Sequence, residues 1–280
     1  MNEAKRAQDR VAILKKIDEY EREGRFDEDV EDDPPSRELL PDEIEYVRKT
    51  ATERLKTKFA YMIARRFVYN LIDDKKLIIK EIKGLEHFRN LDSGAVITCN
   101  HFNAFDSFAI QLAYEAANQQ GRTFYRVIRE GNYTSFPGFY GFLMRNCNTL
   151  PLSSNHQTLR KFNKAMTQIL SDGHFVLVYP EQSMWWNYRK PKPMQDGAFS
   201  LAVRNKAPIV PIFITMEDSD ILDSDGFFVQ EYTINILPAI YSNLALSGKE
   251  AREEMKRKNY EAWVKVYEEF YKKPLVYGEV

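Results

Sequence analysis

Cysteine is nearly missing from this chain. Two residues in 280, Cys99 and Cys147, provide no disulfide framework and fit a reducing compartment. Long apolar runs are missing too, so no stretch is suited to crossing a bilayer as a helix. The opening residues, Met1–Arg10, are charged with no apolar run behind them, and they do not read as a secretory signal. Excess charge of one sign is also absent. A net charge of −1 provides no basic field for nucleic acid. No Gly-x-Ser-x-Gly elbow marks a serine hydrolase, and no Walker loop marks a nucleotide phosphate site. The four histidines, His87, His101, His156 and His174, lack zinc-site spacing, and no metal is expected. Asp223-Ser224-Asp225-Gly226 resembles part of a calcium loop, but Tyr232 stands where the closing glutamate belongs, so it reads as a turn. These absences point to a cytoplasmic protein, soluble or peripheral at the inner face of the cell membrane.

What is present is an apolar and aromatic supply, 44% and 13% of residues, ample for one large core. Residues 1–75 read as an N-terminal helical segment. Val11, Leu14, Ile17 and Tyr20 recur at helical spacing, Glu28–Pro35 reads as an acidic linker, and Pro41 opens a second helical pattern. That pattern turns apolar and basic over Leu55–Ile72, with Lys56, Lys58, Arg65 and Arg66. Such a helix either lies on an anionic membrane or packs its apolar side on the next domain. From residue 76 to 280, short apolar strands alternate with helices. Strands are predicted near 77–82, 95–99, 124–128, 148–152, 175–179, 209–215 and 232–237. Helices are predicted near 104–118, 159–170, 197–205 and 248–272. The alternation implies an α/β fold, with a mixed, mostly parallel sheet covered by helices.

The chemistry gathers in Ala95–Asp106. A buried strand ends near Asn100 and a helix begins after Asn103, which puts Asp106 in its first turn. From there the carboxylate can reach back to His101. A carboxylate that accepts one imidazole N–H fixes the tautomer and stabilises the imidazolium formed when the other nitrogen takes a proton. The alternative is an ordinary first-turn acid beside a packed histidine. A second stretch, Tyr179-Pro180-Glu181-Gln182-Ser183, leaves the carboxyl end of another apolar strand, where open α/β sheets place ligands.

Taken in order, four landmarks make residues 76–240 resemble the glycerolipid (lysophosphatidic-acid type) acyltransferase family. They are Ile82-Lys83-Gly84-Leu85-Glu86; Asn100, His101 and Asp106 as Asn-His-x-x-x-x-Asp; Tyr179-Pro180-Glu181; and Gly197–Ala202 with Ala207–Pro211. The departures are specific. Gln182-Ser183-Met184 replaces Gly-Thr-Arg, no arginine ends Asn148–Ser153, and Gln195 and Asp196 replace the cations before Gly197. Those cations hold the acceptor phosphate in the family, a task suited to a bidentate arginine and closed to methionine. An aromatic and basic run, Trp185–Lys192, stands there instead.

The resemblance implies the glycerolipid acyltransferase fold and an O-acyl transfer from acyl-CoA or an acyl-carrier protein, with no other cofactor. It implies phospholipid or related envelope lipid synthesis at a membrane surface. His101 is then the base and Asp106 its orienting partner. Asn100, Glu181, Ser183 and Arg145 fall to acceptor binding, with holding the loop as a second role for Glu181. Trp185 and Trp186 are candidates for acyl or membrane contact. Two alternatives stand beside this: a non-phosphate acceptor such as a sugar or polyol, and a non-catalytic relative that binds lipid or acyl carrier. Oligomeric state is left open.

Overall fold

A computed structural model describes residues 7–32, 36–48, 50–119 and 121–278. The first of the charged residues Met1–Arg10 and the end of the expected linker Glu28–Pro35 lie outside them. Seven strands form one sheet: β1 (Ile78–Lys83), β2 (Ala95–Cys99), β3 (Phe124–Arg129), β4 (Thr149–Leu152), β5 (Phe175–Val178), β6 (Ile209–Leu222) and β7 (Phe228–Ile236). Their order is β1-β7-β6-β2-β5-β3-β4, and every neighbouring pair is parallel except β6 and β7. Nine helices accompany them among the described residues: α1 (Gln8–Glu23), α2 (Ala51–Asp73), α3 (Glu86–Arg89), α4 (Asp106–Ala116), α5 (Glu130–Thr134), α6 (Gly138–Asn146), α7 (His156–Ser171), α8 (Gly197–Asn205) and α9 (Gly248–Tyr271).

β2 shows why the sheet is covered on both faces. All five of its residues are buried, and successive side chains point to opposite faces. Ala95, Ile97 and Cys99 join the core under α2, α3 and α4, with Phe88, Ala109, Ile110 and Ala113. Val96 faces the other core, built from α7, α8 and α9 with Phe162, Met166, Phe199 and Trp263. Gly84 ends β1 at φ +77°, where a Cβ would lie 2.0 Å from the carbonyl oxygen of Ile236; only glycine permits that approach.

The structure departs from the sequence expectations in three places. Pro41 opens only a 3-10 turn, Pro41–Glu43, and the helix begins at Ala51, behind a Thr50–Glu53 capping box. Residues 36–48 instead run as an extended strap. Leu39, Ile44 and Tyr46 sink into the core beside α7, Tyr46 Oη donates to the Pro151 carbonyl, and Lys161 Nζ donates to the carbonyls of Pro41 and Ile44. Tertiary burial overrides the local helical pattern. The linker also packs: Val30 is buried and the Glu28 carbonyl accepts a hydrogen bond from the Trp185 indole. Finally, β6 continues to Leu222 through Glu217, Asp218 and Asp220, because antiparallel pairing with β7 satisfies a backbone that composition alone would leave as a loop. Asp223–Gly226 is the turn of that hairpin.

Candidate active site

β2 and β5 lie side by side and end at the same edge of the sheet. The segments leaving them, 100–105 and 179–196, meet there. Asp106 starts α4, and its carboxylate turns back over the preceding loop. His101 Nδ1 lies 2.7 Å from Asp106 Oδ2, and the N–H groups of Phe102 and Asn103 donate to the same oxygen at 3.2 and 3.4 Å. Asp106 is 1% exposed, while the His101 side chain retains 23%. The imidazole is therefore held through Nδ1 while part of the side chain stays accessible. Asn103 Oδ1 accepts the Phe105 N–H and closes the turn into the helix.

The β5 side completes the frame. Tyr179 Oη donates to Asp106 Oδ1 at 2.6 Å, and its ring stacks on His101 with centroids 4.0 Å apart. Glu181, 2% exposed, accepts the His101 backbone N–H on Oε2 and the Lys192 backbone N–H on Oε1, at 3.0 and 2.8 Å. Burial raises its carboxyl above the usual range, against the opposing charge of Lys192. Burial likewise pushes the Lys192 ammonium down to about 8, against the pull of Glu181. Lys192 Nζ donates to the carbonyl and Oγ of Ser183 and lies 4.7 Å from the centre of the Trp185 ring.

The other residues singled out in the sequence have different tasks. Asn100 Nδ2 donates to the Ile214 carbonyl and Asn100 Oδ1 accepts the Ile214 N–H, so its buried carboxamide bridges the end of β2 to β6. Ser183 is fully buried and donates to the Phe26 carbonyl. Arg145 donates to the carbonyls of Tyr133 and Phe136, tying α6 to α5 and to the loop between them.

Trp185 and Trp186 are 0% and 8% exposed, so neither indole is presented at the surface. Trp185 packs among Ile17, Tyr20, Phe26 and Val30, and its Nε1–H donates to the Glu28 carbonyl. Trp186 meets Phe227 edge to face beneath the Arg10 guanidinium. The backbone N–H groups of Trp185 and Asn187 donate to the carbonyls of His101 and Phe102, which lays this loop across the dyad.

Two residues escaped the sequence reading. The Tyr179 hydroxyl was signalled only by its place before Pro180-Glu181. Arg129, at the end of β3, makes a bidentate pair with Asp29 and donates to the Gln182 carbonyl at 3.3 Å. Its neighbourhood depends on sheet order, which no local pattern reveals. A cavity of about 80 Å³ lies between α2, α4 and α6. It starts at Ser107 and Phe108, next to Asp106, and is lined further by Leu112, Tyr140, Leu143 and Met144. Among the described residues no cluster of His, Cys, Asp and Glu is arranged to hold a metal ion, and no helix is long and apolar enough to cross a membrane.

Residues 80–215, which contain the dyad and both loops around it, match the family model for Acyltransferase. This chain carries an acyltransferase-family domain. No curated protein matches the sequence. Among solved structures, this chain is similar to the 1-acyl-sn-glycerophosphate (LPA) acyltransferase PlsC from Thermotoga maritima. The identity is 16% and the TM-score 0.44, over 75% of this chain and 79% of that one. Within the acyltransferase domain, β2 brings His101 and β5 brings Tyr179 and Glu181 to one edge of the sheet.

Proposed function

We propose that this acyltransferase moves a fatty acyl group from a thioester, acyl-CoA or an acyl-carrier protein, to an acceptor hydroxyl in phospholipid or related envelope lipid synthesis. The observation that carries the proposal is the His101 Nδ1–Asp106 Oδ2 contact of 2.7 Å, between a buried carboxylate and an imidazole that keeps 23% exposure. With Nδ1–H held by the carboxylate, Nε2 is the basic nitrogen and faces the substrate. It takes the acceptor hydroxyl proton as that oxygen attacks the thioester carbonyl carbon. The tetrahedral intermediate expels the thiolate, which takes the proton back from the imidazolium. No side chain of the enzyme is acylated.

The apolar cavity beside Asp106 supports a fatty donor. At about 80 Å³ it falls well below the ~300–1,000 Å³ of occupied ligand pockets, so an entering chain must displace α2 or α6. The exposed face of α2 supports work at a lipid surface. Leu55, Phe59 and Met62, spaced four and three residues apart, are 69%, 53% and 61% exposed, and Lys56, Lys58, Arg65 and Arg66 flank them at the surface.

A non-phosphate acceptor, such as a sugar or polyol, is favoured by the commitment of the cations. Arg145 is bonded to two carbonyls, Arg189 to Asp218 and Gln230, Lys190 to Glu21, and Lys192 to Ser183. The test is thiol release from palmitoyl-CoA with a panel of hydroxyl acceptors, and mass spectrometry of the products. An acylated acceptor formed by the wild type and not by His101→Ala is the expected result. Thiol release without any acylated acceptor would contradict it.

A further inference from the structure

We propose that Tyr179 is a positioning residue of the His101–Asp106 pair, an inference that rests on the general-base reading above and extends it. Three donors, His101 Nδ1, Phe102 N and Asn103 N, converge on Asp106 Oδ2. The other oxygen, Oδ1, has the Tyr179 hydroxyl, 2.6 Å away. Turning about the Cβ–Cγ bond displaces both oxygens, so the bond at Oδ1 adds to the restraint that the three Oδ2 contacts already place on the carboxylate plane. The hydroxyl therefore helps to set the direction in which Asp106 meets the imidazole. The ring of the same residue lies against the imidazole, 18° from parallel, and blocks rotation of His101 out of that plane.

The hydroxyl also shares the charge that stabilises an imidazolium. A hydrogen bond to Oδ1 draws on the same anion as the Nδ1–H, which weakens the hold on the second proton and helps Nε2 to release it to the leaving thiolate. Burial, then the charge of Asp106, push the Tyr179 hydroxyl well above the ordinary tyrosine range, so it remains a donor throughout the working pH range. The other groups facing this pair are Cys99 on β2 and Tyr232 on β7, both pushed up by burial and both neutral, with Glu181 and Lys192 in the loop and Arg126 on β3. A bare aromatic ring supplies the stacking alone; the hydroxyl supplies the rest.

Tyr179→Phe keeps the ring and removes the hydroxyl. The expected result is a loss of about tenfold in kcat, the size of one hydrogen bond to a charged group, with KM for acyl-CoA almost unchanged. The acidic limb of the kcat/KM profile moves to higher pH, and the downfield proton resonance of His101 Nδ1–H moves with it. Site-specific 3-fluorotyrosine at position 179, a more acidic donor of nearly the same shape, shifts limb and resonance the opposite way. That substitution carries the test if the phenylalanine variant does not fold. An unmoved limb and an unmoved resonance in either variant would overturn the proposal. His101→Ala separates the two levels. If it retains turnover, the general-base reading falls; if it is inactive while the position-179 variants leave limb and resonance in place, only the role of Tyr179 falls.

Discussion

Glu181 holds His101 by its backbone and leaves its ring alone. One buried carboxylate joins the segment that follows β2 to the far part of the loop that follows β5, through the N–H groups of His101 and Lys192. Removing its charge leaves the Lys192 ammonium buried beside neutral partners and turns an amide donor toward a backbone N–H. Glu181→Gln is therefore expected to lower stability by about 1–3 kcal/mol and to reduce kcat more than KM. Thermal melting and steady-state kinetics measure both. Unchanged melting would show that the bracket contributes nothing.

Lys192 gives a pH signature. Its ordinary value is 10.5 and burial brings it to about 8 in the fold. Between these values the unfolded chain binds more protons than the folded one, so the Lys192 contribution to stability rises with pH over that window. The penalty of burying the ammonium is fully present below about pH 8. Lys192→Met removes the titration. The difference in unfolding free energy between wild type and variant is expected to shift in favour of the wild type by roughly 1–3 kcal/mol from pH 8 to 10. A difference independent of pH would contradict the assignment.

The surface of α2 is testable by placing acidic side chains on its apolar stripe. Phe59→Glu with Met62→Glu is expected to reduce co-sedimentation with anionic vesicles while leaving the fold intact, because both side chains are exposed. Deleting the whole N-terminal segment would confuse the result, since α1, Phe26 and Val30 cover Trp185. Equal sedimentation of variant and wild type would place the lipid contact elsewhere.

Trp185→Ala belongs to the core and not to the membrane. Loss of a fully buried indole and its bond to Glu28 is expected to destabilise by about 3–5 kcal/mol. Chemical denaturation measures the loss. A variant of wild-type stability would mean that the α1 contact is not formed in solution.

Acceptor choice follows from the cations. Each hydrogen bond to a charged group contributes roughly 1.5–3 kcal/mol, so a site without the family's arginines is expected to disfavour phosphorylated acceptors by orders of magnitude. The comparison is kcat/KM for glycerol 3-phosphate or lysophosphatidic acid against uncharged polyols and sugars, with one acyl-CoA. Efficient phosphate-dependent turnover would contradict it. Loss of that turnover in Arg129→Ala would then identify Arg129, which already contacts the loop at Gln182, as the cation responsible.

The local parts of this architecture were legible in the sequence. The apolar run Ala95–Cys99 and the five-position spacing from His101 to Asp106 were enough to place the histidine and aspartate at a strand end and a helix start. The order of the strands was not legible, because β5 inserts between β2 and β3 only through long-range pairing. Arg129 and Gln182 meet for that reason alone. Exposure was misjudged where an aromatic and basic run resembled a surface patch. Trp185 and Lys192 are both fully buried, because the distant N-terminal segment closes over them and Ser183 accepts the ammonium. The same distance hid the strap, whose Leu39 N–H is received by Glu130.

The central claim is that His101, oriented by Asp106, is the base for acyl transfer. The direct measurement is single-turnover acyl transfer by His101→Ala and Asp106→Asn, with circular dichroism and melting showing that each remains folded. A general base commonly contributes ~10²–10⁴ in rate, and both variants are expected to lose activity on that scale while still binding acyl-CoA. Near-native single-turnover rates in folded His101→Ala would contradict the mechanism.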